Sequence, residues 1–401
     1  AATTVTAWSG PEHQAIGSIA SAFLAPETQA ALNQLLTTFT VDGGSSKSKT
    51  FTFNGTVALM TTWADAVKNK GSIAYASTGG YHYIDYEDVT ALDVKNKSAT
   101  TTSCSTAINE VSCPEGVCIT AAIANYTNRA DVSNKFGDFA RGEAILFLTH
   151  YLGDITQPLH NCGKLAGGNG YLVKWNGSLY EPPPYSSSKH NLHFIWDQFM
   201  IEADIQDNYS NSFPAYIKSI VNDITCGAYK DEAATWTQCK SPLQTDSGLV
   251  VKSVCPIEWS QEGNGFNCGS VWENTGSVDV NAQTDDLYTN GYHAKNKEVA
   301  RKQLAKAGLR LAWALNTLAP ASPKVAQIAC TASTSAAVSS SPVPVVTSQA
   351  AATSTAAASY VASPAPASYG ASSVPAVTNL YSAAAPVVAS MAVAFAALAM
   401  F

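Results

Sequence analysis

Histidine and aspartate residues recur in this chain at spacings that suit metal ligands. Three residues separate His150 from Asp154, five residues separate Asp154 from His160, and His193 and Asp197 repeat the first spacing. Residues four apart on a helix share one face, with Cβ atoms about 5 to 6 Å apart. An imidazole and a carboxylate placed in this way can bind one divalent ion. Two such pairs predict more than one metal ion.

The alternative explanation of this spacing is that the histidines are ordinary buried residues on a helix face. For a single His-Asp pair, that explanation would be preferred. The chain has only seven histidines, however, and three of them take part in this pattern. The metal interpretation is therefore favoured.

The composition indicates a globular chain with an unusual C-terminal segment. Hydrophobic residues make up 46% of the chain, and 30 acidic residues outnumber 23 basic ones. No charged residue and no histidine follows Lys324, where Ala, Ser, Thr, Pro and Val predominate. Such a segment has too little bulky apolar surface to offset its ordering entropy. Residues 321–382 are predicted to form a disordered, O-glycosylated stalk.

The last residues, 383–401, are apolar, uncharged and rich in alanine. Small residues from Gly370 to Ser373 precede them by a spacer typical of a GPI-anchor signal. A membrane-spanning helix is the alternative, but the apolar run is short and extends to the last residue. A GPI anchor to the membrane is favoured.

Cysteines and glycosylation sequons indicate an oxidising, extracellular or cell-surface location. The chain has nine cysteines and five Asn-x-Ser/Thr sequons, at Asn54, Asn96, Asn125, Asn176 and Asn208. Such a combination is typical of secreted glycoproteins with disulfides. Cys113 and Cys118 are close enough to close a local loop, whereas the spacing leaves the other pairings open.

The chain divides into a short leader, one long domain and the C-terminal appendage. Val5-Thr6-Ala7 satisfies the small-residue rule for signal-peptide cleavage, so residues 1–7 are predicted to be a residual leader before Trp8. Residues 8–320 contain no internal linker or repeat and are predicted to form one domain.

Helical periodicity dominates this domain. Helices are predicted at His13–Leu24, Pro26–Leu36, Thr56–Lys68, Ile119–Tyr126, Asp138–Leu152, Ser188–Ile205 and Val299–Leu318. Strands are predicted only at Thr50–Phe53 and Tyr171–Trp175, and Cys226–Asp279 has the composition of a loop. The expected fold is all-α, a mainly helical single domain with a small β-hairpin and long disulfide-tied loops.

Three further segments carry the same chemistry. They are Trp8-x4-His13, Trp63-Ala64-Asp65 and Tyr81-His82-Tyr83-Ile84-Asp85. With them, the sequence from Trp8 to Leu318 resembles the zinc-dependent single-strand nucleases and 3′-nucleotidases of the S1/P1 type, which are kin to the zinc phospholipases C. The resemblance implies the phospholipase C/P1 nuclease fold.

The resemblance also implies a cluster of three Zn²⁺ ions. Trp8, through its free amine and carbonyl, and His13 would hold one ion, and Asp154 would bridge that ion to a second one. The ligands of the second ion would be Asp65, His82 and His150, and those of the third would be His160, His193 and Asp197.

This ligand set predicts a hydrolytic mechanism. A bridging carboxylate brings two zinc ions close enough for a shared water to lose its proton near neutral pH, and the third ion can polarise the phosphate. Three zinc ions would supply six positive charges, and Asp65, Asp154 and Asp197 would supply three negative ones. The remaining positive charge explains how an acidic protein binds a polyanion. Lys68 matches a basic family position and would stabilise transition-state charge, although an ordinary surface lysine is the alternative.

Base recognition is a further implication of the resemblance. Tyr83 would stack on a base, while Asp85 and Asn169 would contact its edge, and Gly167 and Gly168 would let the backbone approach. Stacking requires an unpaired base, which yields single-strand preference. A simple turn is the alternative for the glycines. Tyr83 stands where phenylalanine is expected, so its hydroxyl would alter base preference.

The match has three departures. The Trp8 amine is a ligand only when it starts the chain, so residues 1–7 are removed or one zinc is weakened. The loop Glu181–Lys189 and the stretch Cys226–Cys268 are enlarged relative to the family. By position in the family, Cys268 is the favoured partner of Cys104.

Four other residues are assigned no ligand role. His190 and His293 match no ligand position and are expected to be exposed loop histidines. Trp196 and Phe194 flank ligands and are expected to pack the helix.

The sequence thus predicts a zinc-dependent hydrolase that cuts single-stranded DNA and RNA to 5′-nucleotides and removes 3′-phosphates. It would be secreted and GPI-anchored, with a monomeric catalytic domain. A zinc phospholipase C is the first alternative, although that family typically ends its ligand set with Glu rather than Asp197. The second is a non-enzymatic cell-surface protein with structural zinc, which would close its coordination with four protein ligands.

Overall fold

Proline and glycine mark many of the helix starts in this protein. Pro11 lies in the first turn of the first helix, and Pro26 and Pro256 open two later ones. A first-turn proline sacrifices no hydrogen bond, because that N–H has no intrahelical partner. Gly291, with φ of 90°, turns the chain into the last helix.

The computed structural model describes residues 8–41, 48–68, 75–86, 107–179, 190–273 and 286–320, with Lys324 and Ile328. Its helices are α1 (Gly10–Ser21), α2 (Pro26–Leu35), α3 (Val57–Met60), α4 (Trp63–Lys68), α5 (Ile119–Ala130), α6 (Asp138–Asp154), α7 (Leu192–Phe194), α8 (Met200–Tyr209), α9 (Phe213–Thr225), α10 (Lys230–Ala233), α11 (Pro256–Asn267) and α12 (Tyr292–Leu318). A π-helical turn, Ile195–Phe199, joins α7 to α8, and 3₁₀ turns span Ala76–His82, Pro114–Gly116, Pro158–Asn161 and Ala234–Thr237.

Two small antiparallel sheets accompany the helices in the described residues. β1 (Thr38–Val41) pairs with β2 (Lys49–Thr52), placing Phe39 opposite Phe51, and β3 (Leu243–Gln244) pairs with β4 (Val250–Val251). Disulfides join Cys113 to Cys118, as predicted, and Cys239 to Cys255. The mainly helical fold with a small hairpin and disulfide-tied loops is therefore confirmed.

The centre of the fold is the pair of long helices α6 and α12. α6 packs against α5 and α12, and α12 also packs against α1 and α8. Every residue of α6 from Ala144 to Asp154 is buried. Its polar side chains at this end therefore lie inside the protein, where they need partners.

Several helix predictions were wrong in extent. The predicted Thr56–Lys68 helix is split into α3 and α4. The last helix was predicted to start at Val299 but starts at Tyr292, because its polar first turns are anchored by buried Tyr292 and Asn296. The predicted Ser188–Ile205 helix starts at Leu192, where the Asn191 side chain accepts a hydrogen bond from Phe194 N, and runs on to Tyr209. Ser188 lies outside the described residues.

Two other segments also differ from prediction. Tyr171–Trp175 forms isolated bridges to three separate segments rather than a strand, because no single neighbour runs alongside it. The stretch predicted to be a loop, Cys226–Asp279, contains α10 and α11, and α11 buries Trp259 and Asn264.

The predicted leader, residues 1–7, and the predicted anchor signal, residues 383–401, lie outside the described residues, as do Cys104 and Asn96. At the start of the predicted stalk, Lys324 donates its backbone N–H to Asn316 O, and Ile328 packs against the core. Among the described helices, none has the length and apolar character that crossing a bilayer requires.

Candidate metal centre and active site

Asp154, the last residue of α6, lies between two groups of ligand atoms. Its Oδ1 is 3.0 Å from Nε2 of His13 on α1. Its Oδ2 is 2.9 Å from Nδ1 of His82 and 3.2 Å from Nε2 of His150. The carboxylate thus presents one oxygen to each side, as a carboxylate that bridges two cations does.

Asp65 completes the group that contains His82 and His150. Its Oδ1 is 3.7 Å from His82 Nδ1 and 3.5 Å from His150 Nε2, and the two histidine nitrogens are 3.1 Å apart. Lys68, one helical turn after Asp65 on α4, places Nζ 2.6 Å from the same oxygen and is buried.

A further group is formed by His160, His193 and Asp197. His160 Nε2 is 3.1 Å from His193 Nε2, which is 3.3 Å from Asp197 Oδ2. Asp197 lies in the π-helical turn, a local widening of the helix that occurs often at functional sites. Gln157 donates to Asp197 Oδ1 at 2.6 Å and fixes the carboxylate.

Backbone carbonyls orient three of the imidazoles. Nδ1 of His150 is 2.6 Å from Thr61 O, Nδ1 of His160 is 2.7 Å from His82 O, and Nδ1 of His193 is 2.6 Å from Gly167 O. A carbonyl oxygen only accepts, so each Nδ1 carries the proton and Nε2 faces the group. Outer hydrogen bonds of this kind orient histidine ligands in metal sites.

Trp8 and His13 reach the site because α1 approaches α6 closely. The Trp8 ring is fully buried, and its Nε1 donates to Gly153 O at 3.1 Å. A Cβ atom at Gly153 would lie 2.9 Å from Ile16 Cδ1 and 3.1 Å from His13 Nδ1. A side chain at position 153 would therefore crowd the His13 ring, and glycine leaves room for His13 to meet Asp154.

Burial and charge separate the histidines into two kinds. Burial lowers the pKa of His13 to about 4 and the pKa values of His82 and His193 to about 3, so these rings are neutral. Burial also opposes protonation of His150, but Asp154 and Asp65 outweigh it and raise its pKa to about 10.

The carboxylates show the complementary pattern. Burial disfavours the charge on Asp154, but His150 and its other neighbours hold its pKa well below the usual range. Burial raises the pKa of Asp197 well above the usual range, and repulsion from Asp154 and Asp65 adds to this effect. A divalent cation would supply the missing charge and keep Asp197 ionised.

The residues fit divalent metal ions. The buried atoms His13 Nε2, Asp154 Oδ1 and Asp65 Oδ1 have ion-pair contacts but no partner with good hydrogen-bond geometry. Three sets, each with ligand atoms within 4.8 Å of one another, can hold an ion: His13, His150 and Asp154; Asp65, His82 and His150; His160, His193 and Asp197. Imidazole and carboxylate donors suit zinc. The structure places eight of the nine predicted ligands in these three groups. The ninth, Trp8, donates its indole N–H to Gly153 O.

The predicted base-binding residues adjoin the metal groups. Tyr83 follows His82 and is 36% exposed, and Asp85 is partly buried. Ile84 donates its N–H to His160 O at 2.8 Å, which ties this segment to the other metal group. Burial raises the pKa of Asp85 to about 6.

The loop that carries Asn169 is wound in the left-handed sense. Leu165, Ala166, Gly167 and Gly168 have φ between 48° and 82°. A Cβ atom at Gly167 would lie 2.7 Å from Leu159 O, and one at Gly168 would lie 3.2 Å from His193 N. Both the turn and the close approach therefore require glycine there, while Leu165 and Ala166 are strained as functional loops often are. Asn169 is partly exposed and donates to Ala166 O.

Both remaining histidines were wrongly predicted to be exposed. His190 is 2% exposed and its ring packs edge-on against Phe199, while His293 is 5% exposed and packs between Trp175 and Tyr288. Trp175 lies far from His293 in sequence, and both burials depend on tertiary packing that local composition does not reveal. Neither histidine is among the three ligand groups. Trp196 is buried, as predicted.

Gln157 was missed by the sequence reasoning. It is fully buried, donates to Asp197, and accepts from Leu159 N at 2.5 Å. The sequence signal that could have identified Gln157 is its position between two predicted metal ligands, Asp154 and His160.

Clustered imidazoles and carboxylates in a helical domain define a metal-dependent enzyme class, and comparisons with known proteins specify the family. The model of the S1/P1 nuclease family matches residues 8–320. The chain is 29% identical to Nuclease S1 of Aspergillus oryzae over 316 residues, which is 78% of this chain and 92% of that protein.

Two other relatives match this chain over a similar length. Nuclease P1 of Penicillium citrinum is 26% identical over 314 residues, covering 78% of this chain and 97% of that protein. Endonuclease 3 of Arabidopsis thaliana is 26% identical over 326 residues, covering 80% and 92%. The chain belongs to the S1/P1 nuclease family, and it is a hydrolase of phosphodiester bonds.

Proposed function

We propose that this protein is a zinc-dependent nuclease that cleaves single-stranded DNA and RNA to 5′-nucleotides and removes 3′-phosphates. The observation that carries the proposal is Asp154, whose two oxygens face two separate ligand groups. The relatives' names, Nuclease S1 and Nuclease P1, support the substrate class.

Nine residues would hold three zinc ions, with Trp8 and His13 on one side of Asp154 and Asp65, His82 and His150 on the other. His160, His193 and Asp197 would hold the third. Bound zinc lowers the pKa of water and stabilises charge on phosphate oxygens. The protein supplies the fixed orientation of these ligands, and Lys68 contributes a buried ammonium beside Asp65.

Lys68 is expected to act on turnover. Replacing Lys68 with Met should lower kcat by about 10²-fold, because a preorganised positive charge near the reacting phosphate is lost. KM and zinc content should change little, and Lys68→Arg should recover part of kcat. Loss of zinc in Lys68→Met, in proportion to the loss of activity, would instead assign Lys68 to holding Asp65.

Tyr83 would stack on an unpaired base, while Asp85 and Asn169 would bind its edge and Gly168 would admit the base beside His193. An ionised Asp85 accepts two hydrogen bonds from the guanine edge, whereas the neutral acid accepts them poorly. Its pKa, raised to about 6, makes the group ionised above this pH and neutral below it.

Base preference should therefore depend on pH. The ratio of kcat/KM for 3′-GMP to that for 3′-UMP is expected to fall about tenfold between pH 7 and pH 5, the size of a charge-assisted hydrogen bond. The ratio removes effects of pH on the chemistry common to both substrates. In Asp85→Asn it should be flat, and a wild-type ratio that is flat as well would refute this role.

The protein is further proposed to be a secreted, GPI-anchored glycoprotein with a monomeric catalytic domain. The sequon asparagines in the described residues, at 54, 125, 176 and 208, are exposed, which supports glycosylation. Treating cells with phosphatidylinositol-specific phospholipase C should release the enzyme as a monomer. Retention on the treated cells would contradict the anchor.

The substrate class is tested by offering the zinc-loaded protein single-stranded DNA, the matching duplex, 3′-AMP and phosphatidylcholine. Cleavage of the single strand and release of phosphate from 3′-AMP are expected, with the duplex cut far more slowly. Hydrolysis of phosphatidylcholine alone would assign the site to a phospholipase C, and no hydrolysis at all would favour structural zinc.

A further inference from the structure

An exposed aromatic surface lies at the start of α6, at the far end from the metal groups. Phe139 is 59% exposed, and its ring stacks on Phe39 with centroids 4.7 Å apart. Phe136, three residues earlier, is 41% exposed. One face of the Phe139 ring is therefore held by Phe39. Single exposed apolar residues need no explanation, but grouped and supported rings indicate a binding surface.

Rings connect this surface to the helix of Asp65 and Lys68. Phe39 and Phe51, which face each other across the hairpin, both contact Trp63 at the start of α4, with centroids 5.5 and 6.3 Å away. The surface and the catalytic helix α4 are thus parts of one packed unit. The exposed rings of Phe136 and Phe139, together with the partly buried ring of Phe51, are called the aromatic platform.

The charges beside the platform favour a polyanion. Lys49 Nζ lies 4.5 Å from the centre of the Phe51 ring, and Lys135 is exposed next to Phe136. Arg141 is mostly buried and pairs with the exposed Asp138 at 3.6 Å, so these two charges offset each other. Among the residues that the structure describes here, Lys49 and Lys135 thus remain as exposed positive charges, in a chain whose formal net charge is −7.

Helix geometry sets the distance between the platform and the metal groups. Phe139 and His150 are eleven residues apart on α6, which corresponds to about 16 Å along the axis. At about 3.4 Å per nucleotide of a stacked strand, that is about five nucleotides. A mononucleotide at the metal groups is too short to span this distance, whereas an oligonucleotide of about five nucleotides has the necessary length.

We propose that the aromatic platform is a remote subsite that stacks the unpaired bases of a long strand while the scissile phosphate lies at the metal groups. This inference rests on the proposed nuclease function and adds a preference for long substrates. Flat rings flanked by basic side chains bind single strands without sequence preference.

The test compares KM for long oligothymidylate and for dithymidylate in zinc-loaded full-length protein. Phe139→Ala should raise KM for the long substrate about tenfold, the effect of losing one stacked base, with kcat and both dithymidylate constants unchanged. Phe139→Leu should behave like Phe139→Ala, and Phe139→Trp should keep the wild-type KM. Ile257→Ala removes a comparable exposed side chain, 46% exposed on α11, and should have no effect.

Thermal unfolding of each variant shows whether the loss of cover over Phe39 unfolds the protein. An unchanged KM for the long substrate in folded Phe139→Ala, or full rescue by leucine, overturns the proposal. The proposal is also overturned if Phe139→Ala loses binding to phosphatidylcholine–phosphatidylserine vesicles while its KM for the long substrate is unchanged. That result would assign the platform to a membrane. If wild-type protein cleaves neither substrate, the proposed function itself fails.

Discussion

Replacing Asp154 with asparagine is expected to lower kcat/KM on single-stranded DNA by at least about 10³-fold. Asp154 is the residue shared by two ligand groups, so the change weakens both at once. Metal ions contribute several kcal/mol to such reactions, and each 1.4 kcal/mol is a factor of ten in rate. The zinc content should fall by up to two ions per chain, while the group of His160, His193 and Asp197 keeps its ion.

Asp131→Asn is the matched control for this change. Asp131 is also a buried aspartate, but its oxygens accept hydrogen bonds from Thr245 and Ser247, and it belongs to none of the three ligand groups. It should retain zinc and activity. Full zinc and full activity in Asp154→Asn would contradict the bridging role.

A chain that begins at Ala1 is expected to be about 10²-fold less active than one that begins at Trp8. In the longer chain the Trp8 nitrogen belongs to a planar amide, whose lone pair is delocalised and cannot bind a cation as a free amine does. The ion beside His13 should then be held weakly, since changes around metal ligands cost about 10 to 100-fold in affinity. The predicted leader itself lies outside the described residues.

N-acetylation of the chain that begins at Trp8 separates the amine from the length of the leader. The acetylated protein keeps the Trp8 indole bonded to Gly153 and lacks only the free amine. It should lose zinc and activity as the longer chain does. Equal activity of all three forms would show that the amine is not a ligand.

The local part of the site was accessible from sequence, because it depends on helix periodicity. His150 with Asp154 and His193 with Asp197 are four residues apart, and the structure places each pair within 3.3 Å. That His13 meets Asp154 depends on the packing of α1 against α6, which spacing does not encode. The family resemblance supplied that pairing, and the glycine at 153 permits it.

What the sequence missed was set by tertiary packing. His190 and His293 look like loop residues, yet the packing of Phe199 on the first and of Trp175 on the second buries them. The first turns of α12 are polar, so periodicity could not reveal them, and burial of Tyr292 and Asn296 stabilises them. The aromatic platform combines residues of β2 with the start of α6, and neither segment predicts it alone.

The central claim is that the three ligand groups, filled with zinc, perform the cleavage of single strands. The most direct test measures zinc content and the rates of cleavage of single- and double-stranded DNA on the same sample, as zinc is removed by chelation and then restored. The account predicts about three zinc ions per chain, one for each group, with single-strand cleavage lost on removal and regained on reloading. Cleavage that survives complete removal of metal, or a fully loaded protein that cleaves no nucleic acid, would contradict it.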